Sequence, residues 1–222
     1  MSFILTLTGP SCAGKTTLER KLKDVGYEAV ISTTTRQIRE GEVNGQNYYY
    51  VTREEFAGLV DSGRLVEHIE FGGNCYGVSV EEVERVLSRG KPVVIVVEPN
   101  GLRQIQTYAT NMGWKTFSVF VDNPPQVIAE RFLHRFITDI ESRGGAGKSH
   151  VTNTVKTYAS RLADMMTVES LWRRDAIDAW MYGRGEDLYD SIIGSFDEEN
   201  QDRIITSFID LILDIRDESL IA

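Results

Sequence analysis

The sequence predicts an α/β fold in which helices flank a parallel sheet. Apolar runs of strand length alternate with longer amphipathic stretches along most of the 222 residues, and this alternation is typical of βαβ units. A glycine-rich loop follows the first apolar run directly, which is where phosphate-binding loops precede a helix. With 41% hydrophobic residues, the chain is long enough to bury a substantial core.

Four pairs of a strand and a helix make up the predicted core. They are Phe3–Thr8 with a helix from Lys15, Pro92–Val97 with a helix from Gly101, Lys115–Val121 with a helix from Pro124, and Asp190–Gly194 with a helix over Glu198–Asp217. In the last helix, Ile204, Phe208 and Ile212 recur at helical spacing. This spacing predicts an apolar face that covers the sheet.

Two regions interrupt the alternation. Residues 33–90 predict a small inserted subdomain with a strand at Tyr48–Val51, a helix near Glu54–Ser62, a strand near Leu65–Phe71 and a helix near Val80–Ser88. Residues 136–158 are rich in Gly, Ser and Thr. That composition favours a mobile functional loop or a disordered linker.

The glycine-rich loop reads Gly-Pro-Ser-Cys-Ala-Gly-Lys-Thr over residues 9–16. Gly9 and Gly14 allow the backbone to curl, so that several N–H groups and the N-terminal end of the next helix face one anion. Lys15 supplies a cation for the terminal phosphates, and the Thr16 hydroxyl suits magnesium. The competing interpretation is a turn without a ligand. The predicted ATP-binding residues are Gly9, Ser11, Cys12, Ala13, Gly14, Lys15, Thr16 and Thr17.

Charge and cysteine content narrow the class of protein. A net charge of −9 argues against non-specific nucleic-acid binding, which needs a surplus of Lys and Arg. The two cysteines, Cys12 and Cys75, give no disulfide framework. Because the chain enters a strand at once and its apolar runs are short, neither a signal peptide nor a membrane span is expected. These features predict a cytoplasmic enzyme. Its expected partners are small-molecule nucleotides, and it is expected to be a monomer or a homodimer.

Arg36 and Arg39 stand three residues apart in a non-helical segment. Two such guanidinium groups can close on one phosphate with forked hydrogen bonds. Two solvated surface charges are the alternative.

The surrounding pattern resembles guanylate kinase. It consists of Ser32-Thr33-Thr34-Thr35-Arg36, Arg39, Gly41-Glu42, Gly45 and Tyr48, then Glu67, then Phe71-Gly72-Gly73-Asn74-Cys75-Tyr76-Gly77. The resemblance implies that Arg36, Arg39, Tyr48 and Tyr76 hold the acceptor phosphate, while Ser32 and Glu67 face the base. An ionised carboxylate suits guanine, whose N1–H and 2-amino group are adjacent donors.

The resemblance also implies a domain organisation and a reaction. The chain is expected to be a single P-loop kinase domain over residues 1–222, with a core at 1–32, 91–135 and 159–222, a monophosphate-binding insertion at 33–90 and a lid at 136–158. It is expected to transfer the γ-phosphoryl group of ATP to GMP or dGMP with magnesium. A non-catalytic protein-binding module is a rival, although such modules characteristically lose the loop lysine or the lid arginines, and Lys15 is present.

Some residues depart from the family pattern. Val78 replaces a Ser or Thr that helps read the base, Val96 replaces the first member of an Asp-x-Asp pair, and Cys75 stands where Tyr is common. These changes keep open a different nucleoside monophosphate or a sugar phosphate as acceptor. Glu98 is predicted to orient the acceptor or position magnesium through water, or else to cap the following helix.

Lid arginines are expected to neutralise charge during transfer. Arg131 and Arg135 lie one helical turn apart, either Arg135 or Arg143 fits the family's Arg-Gly position, and Arg161 matches the later lid arginine. Plain surface charges are the alternative. No catalytic His is required, because the acceptor phosphate is already a nucleophile.

Overall fold

The computed structural model describes residues 3–38, 41–71, 73–141, 148–183, 188–194 and 200–221. The chain divides into two compact units. The first comprises Met1–Thr8, Thr16–Ser118 and Ile209–Ala222, and the second comprises Gly9–Lys15 and Val119–Phe208. None of the described helices is both long and apolar enough for a membrane span.

Most strands belong to the first unit. They are β1 (Phe3–Thr8), β2 (Glu28–Ala29), β3 (Thr33–Thr34), β4 (Tyr49–Tyr50), β5 (Leu65–Phe71), β6 (Asn74–Ser79), β7 (Val93–Val96) and the start of β8 (Lys115–Val121). Its helices are α1 (Lys15–Asp24) from Thr16 onward, α2 (Arg53–Asp61), α3 (Val80–Leu87), α4 (Pro99–Met112) and the end of α8 (Gln201–Ile221).

The second unit is mainly helical. Besides the end of β8 and the start of α8, it contains α5 (Pro125–Glu141), α6 (Lys148–Asp164), a π-helical segment (Met165–Glu169), α7 (Ser170–Tyr182) and β9 (Ser191–Ile193).

The predicted parallel sheet is confirmed. In the first unit, β2, β7, β1 and the start of β8 follow one another in that order, with Ile4 opposite Val93 in parallel register. All six residues of β1 are buried, as expected for a strand covered on both faces. In the second unit the end of β8 pairs in parallel with β9, with Val121 opposite Ile193.

The insertion contains a second, mixed sheet in the order β4, β3, β6, β5. Its centre is the antiparallel pair of β3 and β6, while β3 and β4 run parallel. The sequence predicted β4 and β5 but missed β3 and β6. Residues 72–77, Gly-Gly-Asn-Cys-Tyr-Gly, have the composition of a turn, so pairing with neighbours decides the structure there.

The expectation of a long loop over residues 136–158 is wrong for its two ends. Helix α5 continues to Glu141 and α6 begins at Lys148, and residues 142–147 lie outside the described part of the chain. Ser and Thr residues give α6 a weak intrinsic preference for helix. Its Tyr158 is buried, and tertiary packing of this kind outweighs weak propensity.

Candidate active site

The glycine-rich loop, residues 9–15 in the second unit, is tightly curled. Gly9 has φ +145° and Gly14 has φ +103°. A Cβ atom at Gly9 would lie 2.1 Å from the carbonyl oxygen of Val121, so only glycine fits there. Cys12 adopts φ +62° although it carries a side chain, which is a strained conformation typical of functional sites.

Two side chains from distant parts of the sequence hold the loop backbone. The backbone N–H of Ser11 donates to Oε2 of Glu169 at 2.8 Å, and its hydroxyl donates to Oε1 at 2.7 Å. The buried Asn123 amide donates to the carbonyl oxygen of Ala13 at 2.7 Å. The loop is therefore fixed on both sides of Cys12. Sequence reasoning missed Glu169 and Asn123, since no local pattern relates them to the loop.

Lys15 lies folded against the same loop. Its Nζ donates to the carbonyl oxygens of Gly9 and Pro10 at 2.6 and 2.7 Å. Burial lowers the pKa of Lys15 to about 8, and the nearby Glu169 carboxylate counteracts part of that effect. The ammonium group is thus held beside the curled backbone.

Three of the predicted lid arginines, Arg131, Arg135 and Arg161, also belong to the second unit. Each of them acts on Cys12, either by a hydrogen bond or through its charge. Arg131 Nη1 donates to the Cys12 carbonyl oxygen at 3.5 Å. Burial raises the pKa of the Cys12 thiol, while the positive charges of Arg135, Lys15 and Arg161 lower it in part. The arginines therefore place positive charge near the glycine-rich loop, which is called the donor loop below because it is predicted to bind ATP. The Cys12 thiol stays protonated.

An aromatic cluster holds α5 and α6 together. The ring of Tyr158 meets those of Phe132 and Phe136 at centroid distances of 5.3 and 5.0 Å, and its hydroxyl donates to Asp139. The guanidinium of Arg161 lies 5.6 Å from the centre of the same Tyr158 ring. The cluster thereby fixes the helix that carries Arg161.

In the first unit, three of the predicted phosphate-binding side chains come together. The guanidinium of Arg36 lies 5.3 Å from the centre of the Tyr48 ring, and the Tyr48 and Tyr76 rings meet edge to face at 6.1 Å. Nη1 and Nη2 of Arg36 donate to the Glu42 carboxylate at 3.0 and 2.8 Å, and these bonds raise the pKa of Arg36. Tyr50 donates to Glu42 at 2.7 Å. Sequence reasoning missed the role of Glu42, although its Gly-Glu position after the arginines was a usable signal.

Glu67 is a buried carboxyl group on β5, opposite Val78 of β6. Burial and then the nearby charge of Glu98 raise the pKa of Glu67 to about 8. A Cβ atom at Gly101 would lie 2.7 Å from Oε2 of Glu67. The backbone of α4 therefore makes the room that this carboxyl group occupies.

Glu98 caps α4, as one of the two predicted alternatives states. Its Oε1 accepts a hydrogen bond from the Gly101 backbone N–H at 3.0 Å, and Pro99 occupies the first turn of the helix, where its missing N–H costs nothing. Capping leaves the carboxylate close enough to act on Glu67. Glu98 can therefore cap α4 and still act on the buried carboxyl group of Glu67.

The segment before Ser32 is fixed by the buried Glu82 of α3. Its Oε1 accepts from the Ile31 backbone N–H at 2.9 Å, and the Arg85 guanidinium binds both of its oxygens at 2.8 Å. Nothing in the local sequence indicated this role. The bond holds Ser32 at the edge of a cavity.

This cavity has a volume of about 600 Å³ and lies wholly within the first unit. Among the residues that line it are Thr16, Glu19, Ser32, Tyr48, Arg85 and Val96. Thr16 ends the donor loop in the sequence, whereas Ser32 and Tyr48 are predicted acceptor residues. One cavity therefore unites residues that the sequence assigned to two substrates.

Two predicted arginines cannot be placed. Arg39 and Arg143 both lie outside the described residues. The roles predicted for them stay predictions.

A glycine-curled anion loop with a half-buried lysine, at the junction of a parallel strand and a helix, defines a P-loop phosphotransferase. The sequence model of the family "Guanylate kinase" matches residues 2–158. The chain belongs to the guanylate kinase family, and the resemblance seen in the sequence is confirmed.

Individual relatives agree with this assignment. The chain is 39% identical over 140 residues to guanylate kinase from Synechococcus sp. (strain CC9902), which covers 62% of this chain and 73% of that protein. It is 42% identical over 143 residues to guanylate kinase from Parasynechococcus marenigrum (strain WH8102), covering 64% and 76%. A crystal structure of guanylate kinase from Anaplasma phagocytophilum aligns with a TM-score of 0.55 over 98% of this chain and 86% of that chain. Its sequence identity of 24% supports the fold alone.

Proposed function

We propose that this chain transfers the γ-phosphoryl group of ATP to GMP or dGMP. The observation that carries the proposal is the shared cavity, which Thr16 lines together with Ser32 and Tyr48. A phosphoryl-transfer enzyme must bring two polyanions together and exclude water between them. A cavity that joins the end of a donor loop to acceptor residues suits that task.

Glu67 is proposed to select guanine. A carboxylate accepts from the N1–H and 2-amino groups at once, whereas adenine has no such pair of donors on that edge. With a pKa of about 8, the free carboxyl group holds a proton at neutral pH. Guanine binding would release this proton, because two donors need an ionised acceptor.

Arg36 is proposed to bind the acceptor phosphate, together with Tyr48, Tyr76 and Arg39. A guanidinium carries five N–H groups, and Glu42 takes its bonds from Nη1 and Nη2. The phosphate would take the edge that carries Nε. Glu42 would stay in place and hold Arg36 in the orientation that this edge needs.

The donor side is proposed to consist of the loop N–H groups, Lys15 and the lid arginines Arg135, Arg143 and Arg161. Thr16 would hold magnesium, since its exposed hydroxyl is a hard oxygen ligand at the end of the loop. Bound magnesium supplies charge neutralisation between the phosphates. No group of three His, Cys, Asp or Glu that could hold a metal occurs among the described residues.

A coupled assay of ADP release with a panel of acceptors tests the function. The panel contains GMP, dGMP, AMP, CMP, UMP and a sugar phosphate, because Val78 is buried without a polar group and Val96 lines the cavity. GMP and dGMP are expected to be the best acceptors. Turnover confined to another acceptor would refute the proposal.

The role of Glu67 has a matched control in the same strand. Glu67→Gln should reduce the preference for GMP over AMP by roughly 1 to 3 kcal/mol, because an amide donor replaces one acceptor. Glu70→Gln makes the same change on an exposed side chain and should leave the preference intact. An unchanged ratio in Glu67→Gln would remove the assigned role.

A further inference from the structure

Glu169 is a buried carboxylate, 5% exposed, at the end of the π-helical segment. It receives two hydrogen bonds from one residue of the donor loop, through the backbone N–H and the hydroxyl of Ser11. A buried charge is costly unless it is bonded, and bonds to a charged acceptor are stronger than neutral ones. Since π-helical turns are frequent at functional sites, this contact points to a role in the site.

The contact lies beside the strained part of the loop. The φ of +62° at Cys12 is a left-handed conformation, which is unfavourable for a residue that carries a side chain. Ser11 on one side is held by Glu169, and Ala13 on the other is held by Asn123. The two anchors fix the conformation in which the loop curls.

The negative charge of Glu169 supports the same role as its hydrogen bonds to Ser11, because it acts on Lys15 of the same loop. The Glu169 carboxylate opposes the burial that lowers the pKa of Lys15. The positive charges of Arg135 on α5 and Arg161 on α6 lower the pKa of the Cys12 thiol in part. Among these groups Glu169 contributes the acidic charge that favours the protonated lysine.

We propose that Glu169 is a positioning residue for phosphoryl transfer, which holds the donor loop in its phosphate-binding shape through Ser11. The proposal rests on the proposed function. Glu169 lies beyond residues 2–158, the part of the chain that the family model matches. Glu169 leaves Lys15 available for the phosphates of ATP, because the Nζ hydrogen bonds of Lys15 go to backbone carbonyl oxygens of the loop.

Two substitutions separate the geometric and the electrostatic contributions. Glu169→Ala removes both hydrogen bonds. Glu169→Gln can keep both, because its oxygen accepts from the Ser11 N–H and its amide donates to the Ser11 hydroxyl, but it removes the charge. Asp175→Asn, on an exposed side chain of α7, is the matched control for the loss of a negative charge.

Binding of MgATP is measured by calorimetry without acceptor, and kcat/KM for ATP is measured against pH with GMP saturating. Glu169→Ala should weaken ATP binding by about tenfold or more, as expected for two lost hydrogen bonds to a charged group, with the KM for GMP unchanged. Glu169→Gln should bind ATP like the wild type at pH 6, where Lys15 is protonated in both proteins. Its alkaline limb should move to lower pH, because Lys15 loses a stabilising charge.

Tighter ATP binding by Glu169→Ala would overturn the proposal, since the carboxylate would then compete with the donor. Equal loss of affinity for ATP and GMP with a lower melting temperature would also overturn it, in favour of a general structural role. If Glu169→Ala does not fold, ATP binding by Ser11→Ala is measured instead. An unchanged ATP affinity in that variant would also overturn the proposal. The calorimetric measurement needs no turnover, so failure of the wild type to phosphorylate GMP would refute only the proposed function.

Discussion

The buried carboxyl group of Glu67 should make the stability of this protein depend on pH in a predictable direction. Its pKa rises from 4.5 to about 8 on folding, first because of burial and then because of Glu98. Between these values the folded chain keeps a proton that the unfolded chain loses, so stability falls as pH rises through that window. The difference corresponds to about 5 kcal/mol once the pH is well above 8.

Glu67→Gln removes this penalty, because the amide is neutral and similar in shape to the protonated acid. The variant should lie within about 1 kcal/mol of the wild type near pH 5 and exceed it near pH 9 by up to about 5 kcal/mol in the free energy of unfolding. Urea denaturation at both pH values measures the difference. Glu70→Gln, whose side chain is 62% exposed on the same strand, should show the same small difference at each pH. If the gain in Glu67→Gln were equal at pH 5 and pH 9, the assigned burial and ionisation of Glu67 would be wrong.

Substitutions at three positions of the second unit test the loop and the helix packing beside it. Lys15→Ala should reduce kcat by about 10² to 10³ with an unchanged circular dichroism spectrum, and near-normal turnover would contradict the role of Lys15. Gly9→Ala should abolish ATP binding in calorimetry, because its Cβ would lie 2.1 Å from the Val121 carbonyl oxygen; normal affinity would show that the loop tolerates a side chain there. Tyr158→Phe should cost about 1 kcal/mol in thermal denaturation through the lost bond to Asp139, whereas Tyr158→Ala should cost about 3 to 5 kcal/mol, and equal losses would exclude ring packing as the main contribution.

The donor loop could be predicted from sequence because its determinants are local. Two glycines, a lysine and a threonine at fixed spacing specify a curled backbone whatever surrounds it. Glu169 could not be predicted in the same way, since it lies 158 residues from Ser11 and no periodicity relates the two. The strands β3 and β6 and the helix α6 were missed for a related reason, because packing with distant residues outweighs their weak local preferences.

The acceptor side shows an intermediate case. The resemblance to guanylate kinase implied that Arg36, Tyr48 and Tyr76 hold one phosphate, and the guanidinium and ring distances place these three side chains together. Their exact arrangement depends on Glu42, which the sequence contained within the same motif. Because a carboxylate in such a motif has several possible partners, only the three-dimensional structure identifies Arg36 and Tyr50 as the ones it binds.

Carboxylates brace both proposed phosphate-binding elements, which is unexpected at sites for anions. Glu42 binds Arg36, and Glu169 binds Ser11. In each case the acid bonds to donors that would otherwise be costly to bury unpaired, and it holds them in one orientation before a ligand arrives. The repulsion between each acid and the incoming phosphate is a cost, but ordering a flexible arginine or a strained loop at the moment of binding would be a cost as well. Pre-ordering therefore favours phosphoryl transfer, because transfer depends on alignment of the two phosphates. The condition is that the two carboxylates bind atoms other than those that the phosphates take.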